Sequence, residues 1–178
     1  MIEIKAEQPQ HFEAIESLLD SVFGADRQSK TVYGLREGVS PVLELCHVAL
    51  VDGELHGTIR YWPVAVQSDE RGRPADLLLL GPLAVDPVFQ GAGLGRALVE
   101  YSLILAGRRG YHATVLVGNA AYYSRFRFDR AGARKLNLPG EVDQERVLLR
   151  EISRGAAAHC TGTLVRVSAA VAESCATS

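Results

Sequence analysis

No run of apolar residues approaches the roughly 18 that a membrane-spanning helix needs, so nothing in the sequence argues for a bilayer. The opening residues, MIEIKAEQPQHFEAIE, carry acids early and lack an apolar core, so they do not read as a secretion signal. Cysteine is scarce. Cys46, Cys160 and Cys175 lie far apart, form no CxxC pair and cannot all be bridged within one chain. They read as free thiols in a reducing compartment, and with no address of any kind the expected location is the cytoplasm. Charge excess is also missing: 19 basic residues face 21 acidic ones, a formal net charge of −2. With no cluster of Lys or Arg, there is no electrostatic case for nucleic acid as a partner. No metal site is expected either.

What is present is an ordinary globular composition, 47% hydrophobic and 22% charged, in 178 residues. That is enough chain for one buried core. Ile2 and Ile4 alternate with Glu3 and Lys5, the pattern of a short half-buried strand. From Pro9 the spacing changes to that of a helix, with Phe12, Ile15, Leu18, Leu19 and Val22 on one face and Gly24 as its stop. A strand is expected over Val42 to Val51, a turn at Asp52-Gly53, and a return strand over Leu55 to Val66. Ser68 to Asp76 is polar and reads as a loop. Leu77 to Val85 is almost continuously apolar, as suits a strand buried on both faces. Gly81-Pro82 within it predicts a bulge or a local loss of pairing, because proline cannot donate to a ladder. A helix follows, with Leu94, Leu98, Tyr101 and Leu105 on one face and Arg108, Arg109 and Gly110 at its end. Then come a strand over His112 to Val117, a short helix over Asn119 to Phe126, and strands near Asp129 to Leu136 and Arg146 to Ile152. Thr163 to Val167 reads as a last short strand before a disordered tail. This order describes a mixed α/β (α+β) single domain.

The informative unit is strand, loop and helix from Leu77 to Arg109. Gly91, Gly93 and Gly95 let the backbone turn tightly and approach a ligand closely. They stand where a helix begins, so N–H groups without helical partners and the positive end of the helix dipole point the same way, a ready cradle for phosphate. Arg96 could add a charge-assisted contact. Three phosphate loops compete for this pattern. A P-loop requires Gly-Lys-Ser/Thr, but Arg96 and Ala97 follow Gly95. A dinucleotide fingerprint requires G-x-G-x-x-G and an acid about 20 residues on, and neither is present. The third is Gln90-x-x-Gly93-x-Gly95 directly after Leu83-Ala84-Val85-Asp86-Pro87.

That motif resembles the acetyl-CoA loop of the GNAT N-acetyltransferases. A second motif, Tyr122-Tyr123-Ser124-Arg125-Phe126-Arg127-Phe128, is similar to the Tyr-x-Lys/Arg-x-Gly-Phe that ends the family's fourth helix. Tyr123, Arg125 and Phe128 match it, and Arg127 stands in place of the glycine, where a turn conformation costs other residues about 1–2 kcal/mol. The run Gly118-Asn119-Ala120-Ala121-Tyr122-Tyr123 resembles a bacterial subgroup of predicted GNAT enzymes. In element order the resemblance extends from Ile2 to about Ile152.

The resemblance implies a GNAT-type fold: a central mixed, mostly antiparallel twisted sheet flanked by helices, with splayed fourth and fifth strands. The domain would span residues 1–154, and 155–178 would be an extension. Acetyl-CoA, the expected co-substrate, would insert between the splayed strands. Backbone groups of Leu83, Ala84 and Val85 would meet its pantetheine arm. Gln90, Gly91, Ala92, Gly93, Leu94, Gly95 and Arg96 would hold its pyrophosphate, and Asn119 and Tyr122 would complete the cofactor contacts. The acetyl carbonyl would lie near Gly81-Pro82, and Tyr123 would be the general acid. The reaction implied is acetyl transfer to a primary amine of a small molecule or a protein. A homodimer is compatible with the resemblance.

Glu44, His47, His56 and Tyr61 are candidates for a general base, and none is singled out. Asn119 could instead cap the helix that follows it. Cys46, among apolar neighbours, reads as a buried thiol rather than a nucleophile. The acceptor would be chosen by Ser21 to Gly38 and by Val64 to Asp76; in the first, Arg27, Lys30 and Arg36 could suit an acidic or acyl-bearing acceptor but read more readily as a solvated helix face. Two other readings compete: a non-catalytic CoA-binding or regulatory module on the same fold, and an unrelated phosphate-binding α/β protein.

Overall fold

The computed structural model describes residues 1–67, 77–140 and 142–167. Among them, eight strands form an open mixed sheet. They are β1 (Ile2–Ala6), β2 (His47–Val51), β3 (Glu54–Gln67), β4 (Leu77–Val85), β5 (Ala113–Val117), β6 (Leu136–Asn137), β7 (Val147–Glu151) and β8 (Gly162–Arg166). The helices are α1 (Phe12–Phe23), α2 (Thr31–Gly34), α3 (Leu94–Arg108) and α4 (Ala120–Tyr123). The strand order is β1-β2-β3-β4-β5-β7, with β8 beside β3 and β6 beside β8. Pairings β1/β2, β2/β3, β3/β8 and β5/β7 are antiparallel. Those of β4 with β5 and of β6 with β8 are parallel. The mixed, mostly antiparallel sheet and its flanking helices are those the sequence led us to expect.

The parallel ladder between β4 and β5 is short. Leu77, Leu78 and Leu79 oppose Ala113, Thr114 and Val115, and Leu80 to Val85 have no β5 partner among the described residues. The Gly81-Pro82 peptide inside that stretch is cis. The chain divides into two compact units along the same line, between Leu79 and Leu80 on β4 and between Tyr61 and Trp62 on β3.

The first unit comprises Met1–Lys30, Pro41–Tyr61 and Leu80–Gly110. Ile15, Leu18 and Leu19 of α1 pack on Val48, Leu50 and Ala84. The helix stops at Gly24, which takes φ 87° and donates its N–H to the Asp20 carbonyl. Phe12 departs from expectation and is exposed. It is the first helical residue, and side chains on a helix lean toward its N-terminus, here past the packed turns. On α3 the buried stripe is Leu94, Leu98, Val99, Ser102, Leu103 and Ala106. That is about a quarter turn away from the face expected from Leu94, Leu98, Tyr101 and Leu105. Apolar counting passed over Ser102, whose hydroxyl is buried and 2.9 Å from the Tyr61 hydroxyl. Tyr101 stays 47% exposed and meets His47 edge-on at 4.9 Å.

The strand expected from Val42 begins only at His47. Leu43–Leu45 forms a 3-10 turn instead, with the Val42 N–H donated to the Tyr61 carbonyl and the Cys46 thiol to the Val42 carbonyl. Burial pushes that thiol up to about 11, so it is protonated and unreactive at neutral pH. Five charged side chains are linked here. Arg60 clasps Glu7 with two bonds of 2.8 and 2.6 Å and reaches Glu16 at 3.2 Å. Glu16 also accepts from Arg27, which in turn holds Asp20 at 2.8 Å.

The second unit comprises Thr31–Ser40, Trp62–Leu79 and Tyr111–Ser178. Its core includes Val64, Leu77, Val115, Leu136, Leu149 and Leu164. The strand expected near Asp129 to Leu136 is reduced to a bridge between Asp129 and Leu149 and to the two residues of β6. Asp129 accepts the Gly132 N–H at 2.7 Å, and Arg130 donates to the Ala133 carbonyl at 2.7 Å, so the chain turns where a strand would run straight. The segment expected as an extension contributes β8, which pairs with Val64 to Gln67 of β3. The polar loop at 68–76, Cys175 and the tail expected to be disordered lie outside the described residues.

Arg127 takes φ 60° and ψ 29°, the left-handed conformation for which the family pattern carries glycine. Arg127→Gly should therefore raise stability by up to about 1.5 kcal/mol. Relief of about 1–2 kcal/mol of backbone strain is partly offset by about 0.4–1 kcal/mol of added unfolded-state entropy. A denaturation midpoint that falls would mean that the arginine side chain contributes more than its backbone costs. Arg60→Met, which strands Glu7, should lower stability by about 3 kcal/mol in the same assay.

Candidate active site

The first unit supplies a phosphate-type loop. At the end of β4, Asp86 accepts the Val88 N–H at 3.0 Å and caps a 3-10 turn over Pro87–Phe89. Gln90, Gly91, Ala92 and Gly93 follow, all exposed. Gly91 takes φ 84° and Gly93 φ 90°. A Cβ at either position would meet nothing within 4 Å, so backbone conformation, not space, demands glycine there. Gly93 is the N-cap of α3, and the first helical bond of α3 runs from the Ala97 N–H to the Gly93 carbonyl at 2.9 Å. Leu94, Gly95 and Arg96 therefore form the first turn, whose N–H groups have no acceptor within the helix. Leu94 itself is buried and anchors that turn, so only its backbone can face a ligand. Ala84 is likewise buried, while Leu83 and Val85 are half-buried. Arg96 is exposed and pairs with Glu100 at 2.8 Å.

The second unit supplies an aromatic cluster. Asn119 caps α4, its side-chain oxygen accepting from Ala121 at 2.8 Å and Tyr122 at 3.4 Å. Of the two roles read for it, the capping one is therefore filled. Tyr123 stands edge-on to Tyr122 at 4.9 Å and to Phe128 at 5.8 Å. The Arg125 guanidinium lies over the Tyr122 ring at 5.1 Å. Burial, and next to it Tyr122, pushes the Tyr123 phenol well above its ordinary value, so it is protonated throughout the neutral range. Gly118 seats the ring: a Cβ there would fall 2.5 Å from Cε2 and 2.9 Å from Cδ2 of Tyr123. The sequence motif included Gly118, but nothing in one dimension showed that its missing side chain makes room for Tyr123.

The candidate bases separate. His47 is buried, its Nδ1 is 3.0 Å from the Leu45 carbonyl, and burial lowers its pKa, so it is neutral. Tyr61 is fully buried beside Ser102. Glu44 lies on the Leu43–Leu45 turn rather than on a strand and pairs with Arg109 at 3.6 Å. His56 pairs with Asp86 at 3.0 Å, at the loop end of β4 and away from Gly81-Pro82. Of the cations expected near an acceptor, Arg27 is buried and neutralised by Glu16 and Asp20. Lys30 donates to the Phe23 carbonyl. Arg36 lies over Tyr33 at 4.5 Å and over Trp62 at 5.8 Å. Among the described residues, no cluster of His, Cys, Asp or Glu could hold a metal ion, and no helix is long and apolar enough to cross a membrane.

Known proteins are similar to this chain in sequence and in fold. The family model of the acetyltransferase (GNAT) domain matches residues 43–130, which include both the glycine loop and Tyr123. YhbS, an uncharacterised N-acetyltransferase of Escherichia coli K12, is 38% identical over 129 residues, 72% of this chain and 74% of its own. The crystal structure of Escherichia coli YhbS in complex with CoA superposes with a TM-score of 0.78 at 30% identity, covering 93% of this chain and 89% of that one. A GNAT acetyltransferase from Brucella melitensis in complex with acetyl-CoA shares the fold, with a TM-score of 0.65 at 24% identity and coverage of 94% and 97%. The chain belongs to the GNAT acetyltransferase family.

Proposed function

We propose that this protein transfers the acetyl group of acetyl-CoA to a primary amine of a small molecule or a protein by direct attack. The observation that carries the reading is the loop from Gln90 to Arg96. Its left-handed glycines and the open first turn of α3 present backbone N–H groups to an anion. The binding of CoA by Escherichia coli YhbS and of acetyl-CoA by the Brucella melitensis enzyme supports the choice of anion, the pyrophosphate of acetyl-CoA. The stretch of β4 without a β5 partner would offer Leu83 and Val85 backbone groups to the pantetheine arm as a strand offers its edge. Ala84 would contribute backbone only. Asn119 and Tyr122 would complete the cofactor contacts, Asn119 with groups not used in capping.

In the reaction, the amine nitrogen lone pair attacks the thioester carbonyl carbon. The resulting oxyanion is stabilised by a backbone N–H. The C–S bond then breaks, the sulfur leaves with the bonding pair and takes a proton from Tyr123; the nitrogen gives up its extra proton to water, and solvent restores the proton of Tyr123. Burial keeps Tyr123 protonated before the C–S bond breaks, and it also makes the phenol a weaker acid than it is in water. Cytoplasmic location belongs to the same reading.

Calorimetric titration should show acetyl-CoA binding, with ATP and NAD inert. Equal binding of the three would sink the proposal, and so would no binding at all. Gly93→Glu, which puts a carboxylate and a strained residue into the loop, should abolish acetyl-CoA binding and leave the fold intact by circular dichroism. Tyr123→Phe should lower turnover while acetyl-CoA affinity holds; unchanged activity across the pH range would remove Tyr123 as the acid. Gly118→Ala should displace the Tyr123 ring, costing about 1–3 kcal/mol of stability and lowering turnover without weakening acetyl-CoA binding.

A further inference from the structure

The glycine loop has little to rest on. The side chains of Gln90 and Ala92 are exposed, and the space beside Gly91 and Gly93 is open. Its position is therefore set by its two ends. At the far end, buried Leu94 fixes the start of α3. At the near end the fixed points are Asp86 and Phe89, and one side chain from another strand touches both of them. His56, on β3, has Nδ1 at 3.0 Å from Oδ2 of Asp86. Its ring lies 4.1 Å from the Phe89 ring, tilted by 41°.

The bonding is directional. The Val88 N–H, and after it the His56 hydrogen bond, hold the Asp86 carboxyl below its ordinary range, so it is ionised and only accepts. His56 Nδ1 must therefore carry the proton. The other Asp86 oxygen takes the Val88 N–H, and the Asp86 N–H is donated to the His56 carbonyl at 2.9 Å. Asp86 is thus clamped to β3 through both backbone and side chain. Phe89 passes the clamp forward, since its carbonyl accepts the Ala92 N–H at 3.2 Å inside the loop.

We propose that His56 is a positioning residue for the glycine loop, holding it in its acetyl-CoA-binding conformation through Asp86 and Phe89. The inference rests on that loop being the pyrophosphate site. It gives His56 a part in cofactor affinity, in place of the general-base role for which its residue type had made it a candidate.

The test is calorimetry with acetyl-CoA on the full chain, comparing wild type, His56→Ala and His56→Asn. Loss of one hydrogen bond to a charged group should raise the Kd of His56→Ala about tenfold, with the number of sites per chain retained. Asparagine can place an N–H where Nδ1 stood, so His56→Asn should recover most of the lost affinity. A merely structural role would lower the melting temperature and the number of competent sites and leave Kd at the wild-type value, and that result would overturn the inference. A Kd that rises in His56→Ala and stays as high in His56→Asn would overturn the route through Asp86. A wild type that fails to bind acetyl-CoA would remove the pyrophosphate site itself, and the role of His56 with it.

Discussion

Backbone N–H and C=O groups in a sheet need partners, and β4 finds a β5 partner only over Leu77 to Leu79. Its apolar side chains continue past that point: Leu80 and Ala84 are buried, and Ala84 packs with α1 and β2. Where its ladder to β5 has ended, the strand still has β3 on its other edge and its buried faces to hold it. Leu77 and Leu79 belong to one hydrophobic core and Ala84 to the other. The stretch without a β5 partner runs straight into Asp86 and the glycine loop, so the features proposed to take acetyl-CoA follow one another along a single strand and the turn after it.

The glycine loop and the aromatic cluster are each held by local structure within their own unit. In the loop, Gly91 and Gly93 adopt conformations that side chains resist, and a capped turn and a buried leucine secure the two ends. In the aromatic cluster, an N-capped turn of helix presents Tyr123, a bare glycine makes room for its ring, and Arg127 accepts a left-handed backbone. A group meant to move a proton gains from such confinement, because burial sets its protonation state and packing sets its direction. Charge is used differently. Arg60, Glu7, Glu16, Arg27 and Asp20 neutralise one another between α1 and β3, so Arg27 serves the fold rather than an acidic acceptor.

Much of this was legible in one dimension, because it is local. The apolar run Leu77 to Val85 is strand β4 over the same residues. The glycine spacing marked the loop, and Pro9 with Gly24 bracketed the first helix. These features follow from backbone conformation and short-range periodicity, which the sequence states directly. The errors arose where a distant partner decides. Val42 was read into a strand, yet Tyr61 takes its N–H and Cys46 closes the turn. The buried face of α3 was misjudged by about a quarter turn because a tyrosine hydroxyl on β3 satisfies Ser102.

The sequence by itself determined the family, the glycine turn before α3 and the order of the elements, since each is a matter of residue type at fixed spacing. Only the tertiary structure decided what Gly118, His56 and Arg27 are for. Their roles are set by Tyr123, by Asp86 with Phe89, and by Glu16 with Asp20. The pairing of His56 with Asp86 joins residues 30 apart, and no short-range pattern encodes it. Hydrogen bonds and packing act over a few ångströms of space, whatever the length of chain between the partners.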